Sequence, residues 1–172
     1  MANVLSSDGK LLAFNEQRPE TGVDIWIYST DEKKARPFRN TSFNEWFPEF
    51  SPDGRWLAYS SDDLGHNEIY VVPYPAPGPT CEVSTSGGEQ PGWSDDGKEL
   101  FYRQGSTAMV VDVANRNFCN ANPRALFDGL EPFSWDVSPK GDFFITLETR
   151  EPPRLQLVLN WFEELKRRLP GK

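Results

Sequence analysis

The sequence predicts an all-β fold, and three observations carry that prediction. The first is a repeat. Ser6-Ser7-Asp8-Gly9, Ser51-Pro52-Asp53-Gly54, Ser94-Asp95-Asp96-Gly97 and Ser138-Pro139-Lys140-Gly141 each place Ser three residues before Gly, and the glycines stand 45, 43 and 44 residues apart. The second is the company each tetrapeptide keeps. An apolar residue lies four before the Gly (Leu5, Phe50, Trp93, Val137), and a short strand-like run follows it (Leu11 to Phe14, Trp56 to Tyr59, Glu99 to Tyr102, Phe143 to Thr146). The third is composition: 15 Pro and 13 Gly beside 12 Phe, 6 Trp and 5 Tyr suit short strands joined by tight turns.

The tetrapeptide has a physical reason. Pro in its second place fixes φ near −65°. Ser in its first place bonds the backbone two residues on. Gly in its fourth takes the left-handed conformation and closes a hairpin. A third strand follows a variable loop in each unit: Asp24 to Tyr28, Glu68 to Val72, Ala108 to Asp112 and Leu155 to Leu159. Weaker fourth strands are expected near Ala35 to Phe38, Cys81 to Ser84 and Arg124 to Phe127. Four strands in roughly 44 residues is the period of a β-propeller blade. A meandering β-sandwich is the competing fold, but it does not require one turn chemistry at one spacing.

The chain of 172 residues is therefore expected to be a single propeller-type domain, with blades over 1–41, 42–86, 87–129 and 130–160. The fourth unit has no fourth strand. Instead Asn160 and Glu163 form a capping box for a short helix over 161–169, with Trp161, Leu165 and Leu169 on one face and Pro170-Gly171 ending it.

Charge narrows the function. With 18 Lys and Arg against 26 Asp and Glu, the net charge is −8, the wrong sign for a nucleic-acid binder. No apolar run approaches the ~20 residues that span a bilayer, and no signal-peptide pattern opens the chain. No compartment is assigned.

Several motifs dissolve on inspection. Gly92 to Lys98 fits the phosphate-loop spacing, but Glu99 stands where Ser or Thr would hold magnesium, two aspartates lie inside, and a strand follows. His66, the single histidine, lies in the polar loop 60–67 with Asp62 and Asp63. A triad would have to use it, yet no Gly-x-Ser-x-Gly elbow exists. Neither His-Glu-x-x-His nor Cys-x-x-Cys occurs, so no metal and no cofactor are expected. Cys81 and Cys119 fall in different blades and read as unpaired thiols. Asp8, Asp53 and Asp96 are turn residues on separate blades rather than an acid–base pair.

Glu45, Glu89 and Glu131 each precede an inner strand, where junctions ring the mouth of a propeller channel. Three acids there make a negative funnel for a cation or a basic peptide, with Trp46, Phe47, Phe133 and Trp135 adding aromatic surface. The expected binding residues are Glu45, Trp46, Asp62, Asp63, His66, Glu89, Gln90 and Glu131.

Ser51-Pro52-Asp53-Gly54 followed by Arg55-Trp56-Leu57-Ala58-Tyr59, then Glu68-Ile69-Tyr70-Val71-Val72, resembles the WD40-like repeats of TolB-type propellers over residues 3 to 159. Arg55 to Tyr59, Ser86-Gly87-Gly88 before Gln90-Pro91, and Leu159 to Leu165 also resemble the C-terminal propeller part of bacterial multidomain proteins, some of them with an N-terminal serine/threonine kinase. The resemblance implies a non-catalytic scaffold for a protein or peptide ligand, a basic one fitting the charge. The alternative is a hydrolase or peptidase-associated propeller using loop carboxylates and His66. TolB-like rings usually hold more than four blades, so the chain reads as a partial propeller, and a homodimer through its end blades is expected.

Overall fold

A computed structural model of the chain describes residues 3–75, 78–130, 135–137 and 143–145. They form consecutive antiparallel sheets. β1 (Asn3–Leu5), β2 (Leu11–Arg18), β3 (Gly22–Ser29) and β4 (Lys34–Arg39) make blade one, in that spatial order. Blade two is β5 (Glu45–Phe50), β6 (Trp56–Ser61), β7 (Glu68–Pro73) and β8 (Cys81–Glu82). Blade three is β9 (Glu89–Trp93), β10 (Glu99–Gln104), β11 (Thr107–Asp112) and β12 (Arg124–Asp128). β13 (Trp135–Val137) pairs with β14 (Phe143–Ile145) as the start of a fourth. This is the β-propeller architecture the repeat predicts. The helix expected over 161–169 lies outside the described residues.

The three described turns share one hydrogen-bond pattern. Ser6, Ser51 and Ser94 donate their hydroxyls to Asp8, Asp53 and Asp96 at 2.7, 2.6 and 2.9 Å. The Gly amide donates to the Ser carbonyl at 2.8 Å in each. The strand that follows closes the turn, with Leu11, Trp56 and Glu99 amides donating to the Ser hydroxyls at 3.0, 3.0 and 2.9 Å. Gly9, Gly54 and Gly97 sit at φ 70°, 66° and 64°, the left-handed region. These bonds hold the Asp8 carboxyl below its ordinary value, Ser6 first among the causes, and hold Asp96 down to about 2, with Lys98 foremost.

Alternation along the strands gives each blade two faces. Ala13, Ile25 and Ile27 on the rear of blade one pack into a core with Phe50, Leu57, Tyr59, Tyr70 and Val72 on the front of blade two. Ala58, Ile69 and Val71 on the rear of blade two pack with Trp93, Leu100, Tyr102 and Val111 on the front of blade three. Front faces carry most of the aromatics; rear faces are mainly aliphatic, with Trp56 on the rear of blade two packed against the second core.

Two features depart from the sequence expectation. β8 ends at Glu82 rather than Ser84. Cys81 and Cys119 are not free thiols: they form a disulfide with Cα atoms 4.5 Å apart. The reason lies in the connection from β11 to β12. It folds back over blade two through a 3₁₀ turn, Phe118–Asn120. Phe118 is buried with its ring 4.6 Å from Trp56 and 5.9 Å from Trp93, and Arg116 donates to Asp53 at 2.8 Å. Those contacts carry Cys119 onto the outer strand of the neighbouring blade.

Candidate functional site

Antiparallel order puts the Ser-x-Asp-Gly turns at one end of the array and the β2–β3, β6–β7 and β10–β11 turns at the other. The inner strands β5 and β9 begin at that second end. The β6–β7 loop meets both junctions there. Asn44 donates its amide and side chain to Asp62 at 2.8 and 2.7 Å, and the Gly88 amide donates to the Asn67 carbonyl at 2.7 Å.

Each expected binding residue takes a definite place on or under this face. Glu45 is 2% exposed, so it is a buried acid and no surface contact. One of its oxygens accepts from the Thr41 hydroxyl, and burial pushes its carboxyl above the ordinary range. Trp46 is half-buried, its ring 6.3 Å from Phe47. Asp62 is tied to Asn44, and Asp63 accepts from the Tyr70 hydroxyl. His66 is exposed, with Nε2 2.8 Å from Glu68. Glu68 is itself buried and also accepts from Ser84 and from the Gly87 amide at 2.8 Å. Glu89 accepts from Asn67 at 2.9 Å and pairs with Arg103, which also donates to Gln90 at 3.1 Å. Asp62, Asp63, His66, Glu89 and Gln90 thus share one end of blades two and three. Glu131 lies outside the described residues.

A pocket opens where three inner strands converge. It has a volume of about 190 Å³ and is lined by Phe47, Pro48 and Glu49 of β5, Gln90, Pro91 and Gly92 of β9, and Trp135 and Asp136 of β13. Its walls follow from a local irregularity. Phe47 and Gln90, each directly before a proline, sit at φ 53° and 54°. Pro48 and Pro91 have no N–H for the ladder, and both inner strands shift register at this step. Burial, with the Asp136 charge second, pushes the Glu49 carboxyl up to about 8. At neutral pH the pocket therefore holds one neutral carboxyl beside a second acid, among apolar walls, an arrangement that accepts a hydrogen-bonding or cationic group.

Of the pocket residues, only Gln90 stands among the expected binding residues. Glu49 and Asp136 were legible, because both occupy the place two before the repeat Ser, at Ser51 and Ser138. Arg103 carried no sequence signal. Among the described residues, no group of three metal-binding side chains occurs, and no helix is long and apolar enough to cross a membrane.

No family model matches the chain. It is 29% identical over 100 residues to an uncharacterized peptidase, YuxL of Bacillus subtilis, covering 51% of this chain and 14% of that protein. It is also 29% identical over 110 residues to the uncharacterized protein Atu1656 of Agrobacterium fabrum, covering 56% of this chain and 37% of that one. The chain thus spans well under half the length of either. Among solved structures it is similar to one described as TolB from Agrobacterium tumefaciens, with TM-score 0.64 and 21% identity over 84% of this chain and 57% of that one. For TolB of Acinetobacter baumannii the values are 0.62 and 20%, over 81% and 35%. The β-propeller domain of the Trilobed protease of Pyrococcus furiosus matches with TM-score 0.52 and 14% identity, over 74% and 43%. Blade order, turn chemistry and these likenesses agree: the chain has the fold of a TolB-like β-propeller.

Proposed function

We propose that the chain is a non-catalytic binding module that holds a protein or peptide segment at the loop end of its blades, with a basic side chain entering the inner-strand pocket. The observation that carries this reading is the pocket itself, two acids set among Phe47, Pro48, Pro91 and Trp135. Apolar walls with a few convergent polar groups are what small binding sites share. Asp63 and His66 on the β6–β7 loop and Glu89 at the start of β9 stand on the same end and extend the acidic surface. The net charge of −8 favours a cationic partner and its diffusional encounter.

The test is a peptide array of lysine-rich, glutamate-rich and neutral sequences, followed by titration of the best binder. Lysine-rich peptides are expected to bind, more weakly as salt rises. Asp136→Lys and Asp63→Lys are expected to weaken them further. Affinity indifferent to salt and to both substitutions sinks the proposal.

A second reading has one observation behind it, the likeness to proteins called peptidase or protease. In it the blades accompany a hydrolase. Turnover of peptide substrates by this chain, lost in His66→Ala, would favour that reading over the module.

A further inference from the structure

The repeat also dictates what the inner-strand pocket contains. The place two before the repeat Ser holds Glu49 in blade two, Gly92 in blade three and Asp136 in the fourth unit. All three line the same pocket. Gly92 brings no side chain, which leaves room beside the two acids. The backbone there is poor in donors. Pro48 and Pro91 have no N–H, and the Trp93 ring N–H donates to the Glu49 carbonyl at 3.2 Å. The lining residues include no Lys, Arg or His. Arg103, which reaches the pocket's edge at Gln90, donates there at 3.1 Å and is also held by Glu89 and the Gly105 carbonyl. The strands behind the walls present Ala58, Phe101 and Phe144 opposite Glu49, Gly92 and Asp136. Among the described residues, then, the ionisable groups facing this space are Glu49 from β5 and Asp136 from β13.

Two carboxyls sharing an apolar pocket resist joint ionisation, and burial with the Asp136 charge keeps a proton on Glu49 at neutral pH. We infer that the pocket exchanges this proton for its ligand: the cationic head of a lysine- or arginine-type side chain enters between Glu49 and Asp136, and the proton leaves to solvent. The inference rests on the binding reading above and adds its regulation by pH. The exchange balances. The empty pocket holds one carboxylic acid and one carboxylate. The filled pocket holds two carboxylates and one cation, whose N–H groups donate to the carboxylate oxygens. The net charge of the pocket is therefore unchanged, and no charge in it is left unpaired. Phe47, Pro48 and Pro91 give apolar walls to the methylene stem of such a side chain. A lysine ammonium, with an ordinary pKa of about 10.4, stays charged throughout the range in which Glu49 titrates. Capture therefore strengthens as pH rises toward about 8 and levels off above it.

Calorimetric titration of the 172-residue chain with tetralysine blocked at both termini, in buffers of different ionisation enthalpy, counts the protons. About one proton is expected to leave per peptide bound at neutral pH, and affinity should rise about tenfold or more from about pH 6 to about pH 8. Glu49→Gln cannot ionise, so it should bind more weakly and release no proton. Asp136→Asn, at an exposed side chain, is the second variant. Without that charge Glu49 holds its proton less firmly, and the rise in affinity should move to lower pH. Histidine is the other side chain that ordinarily changes charge over this range. His66→Gln should therefore keep the proton release, whatever its effect on affinity. Peptide bound by the wild type with no proton released overturns the exchange and leaves the binding module standing. Release that persists in Glu49→Gln, or a rise unmoved in Asp136→Asn, overturns the exchange equally. No binding at any pH from about 6 to about 9 removes the module and the exchange together.

Discussion

Gly54 sits at φ 66°, and a Cβ added there would meet nothing within 4 Å. The cost of a side chain at this place is therefore backbone strain alone. Gly54→Val is expected to lower stability by about 1–2 kcal/mol in denaturant titration, with no change in the slope of the transition. A neutral result would mean that the turn relaxes to negative φ. This residue was fully legible in the sequence, because the tetrapeptide carries its own hydrogen bonds and needs no distant partner. Asp53 shows the limit of such locality. Burial pushes its carboxyl up, yet bonds from Ser51 and the Arg55 amide, with the Arg116 charge, outweigh it and leave it lowered. Ser51 could be read; Arg116, 63 residues away, could not.

Glu49 gives the pH prediction. A carboxyl whose folded pKa lies above its unfolded value of 4.5 favours folding while it is protonated. That contribution is complete below 4.5 and is lost as pH rises through about 8. The wild-type urea midpoint should therefore fall between about pH 5 and about pH 9, and Glu49→Gln, which cannot ionise, should fall less over the same window. Parallel curves for the two proteins would show that Glu49 ionises freely. The sequence marks Glu45 as an acid in a repeated place, and the structure buries it at the top of the first blade interface. Sequence spacing located the junction, but which way the first residue of a strand faces depends on register, and register is set by the bulge at Phe47 and Pro48.

At the scale of elements, the connection from β11 to β12 joins blades two and three through three kinds of contact: the Arg116–Asp53 ion pair, the Phe118 ring and the Cys81–Cys119 bond. The disulfide closes a sequence separation of 38 residues. In the chain-entropy account, such a closure is worth about 4 kcal/mol. Reductant is therefore expected to lower the melting temperature of the wild type, and Cys81→Ala/Cys119→Ala should melt at the lower temperature with or without it. Phe118→Ala should cost about 3–5 kcal/mol in either redox state, since burial of its ring does not require the sulfur bond. A wild type indifferent to reductant would show that the ring and the ion pair suffice. The four hairpins were legible because each is local. This connection was not, since nothing in 113–121 is periodic and its course is decided by where Phe118 finds a pocket between two tryptophans.

The whole molecule is a one-dimensional stack, and each blade gains its stability from its neighbours. Blade two contributes to a core on both faces: Leu57 and Val72 belong to one cluster, Ala58, Ile69 and Val71 to the other. Blade one shares its rear face with blade two, while on its front face Leu5 is exposed and Leu12, Phe14, Trp26 and Tyr28 are half-buried. Amide hydrogen exchange should then be graded along the chain. The slowest amides are expected in β6 and β7, whose opening requires both cores to separate. Amides of β2 and β3 should exchange faster, and those of β4, whose side chains are mostly exposed, faster still. Uniform protection across blades one and two would mean that the front of blade one is held as firmly as its rear, and the graded stack would be wrong.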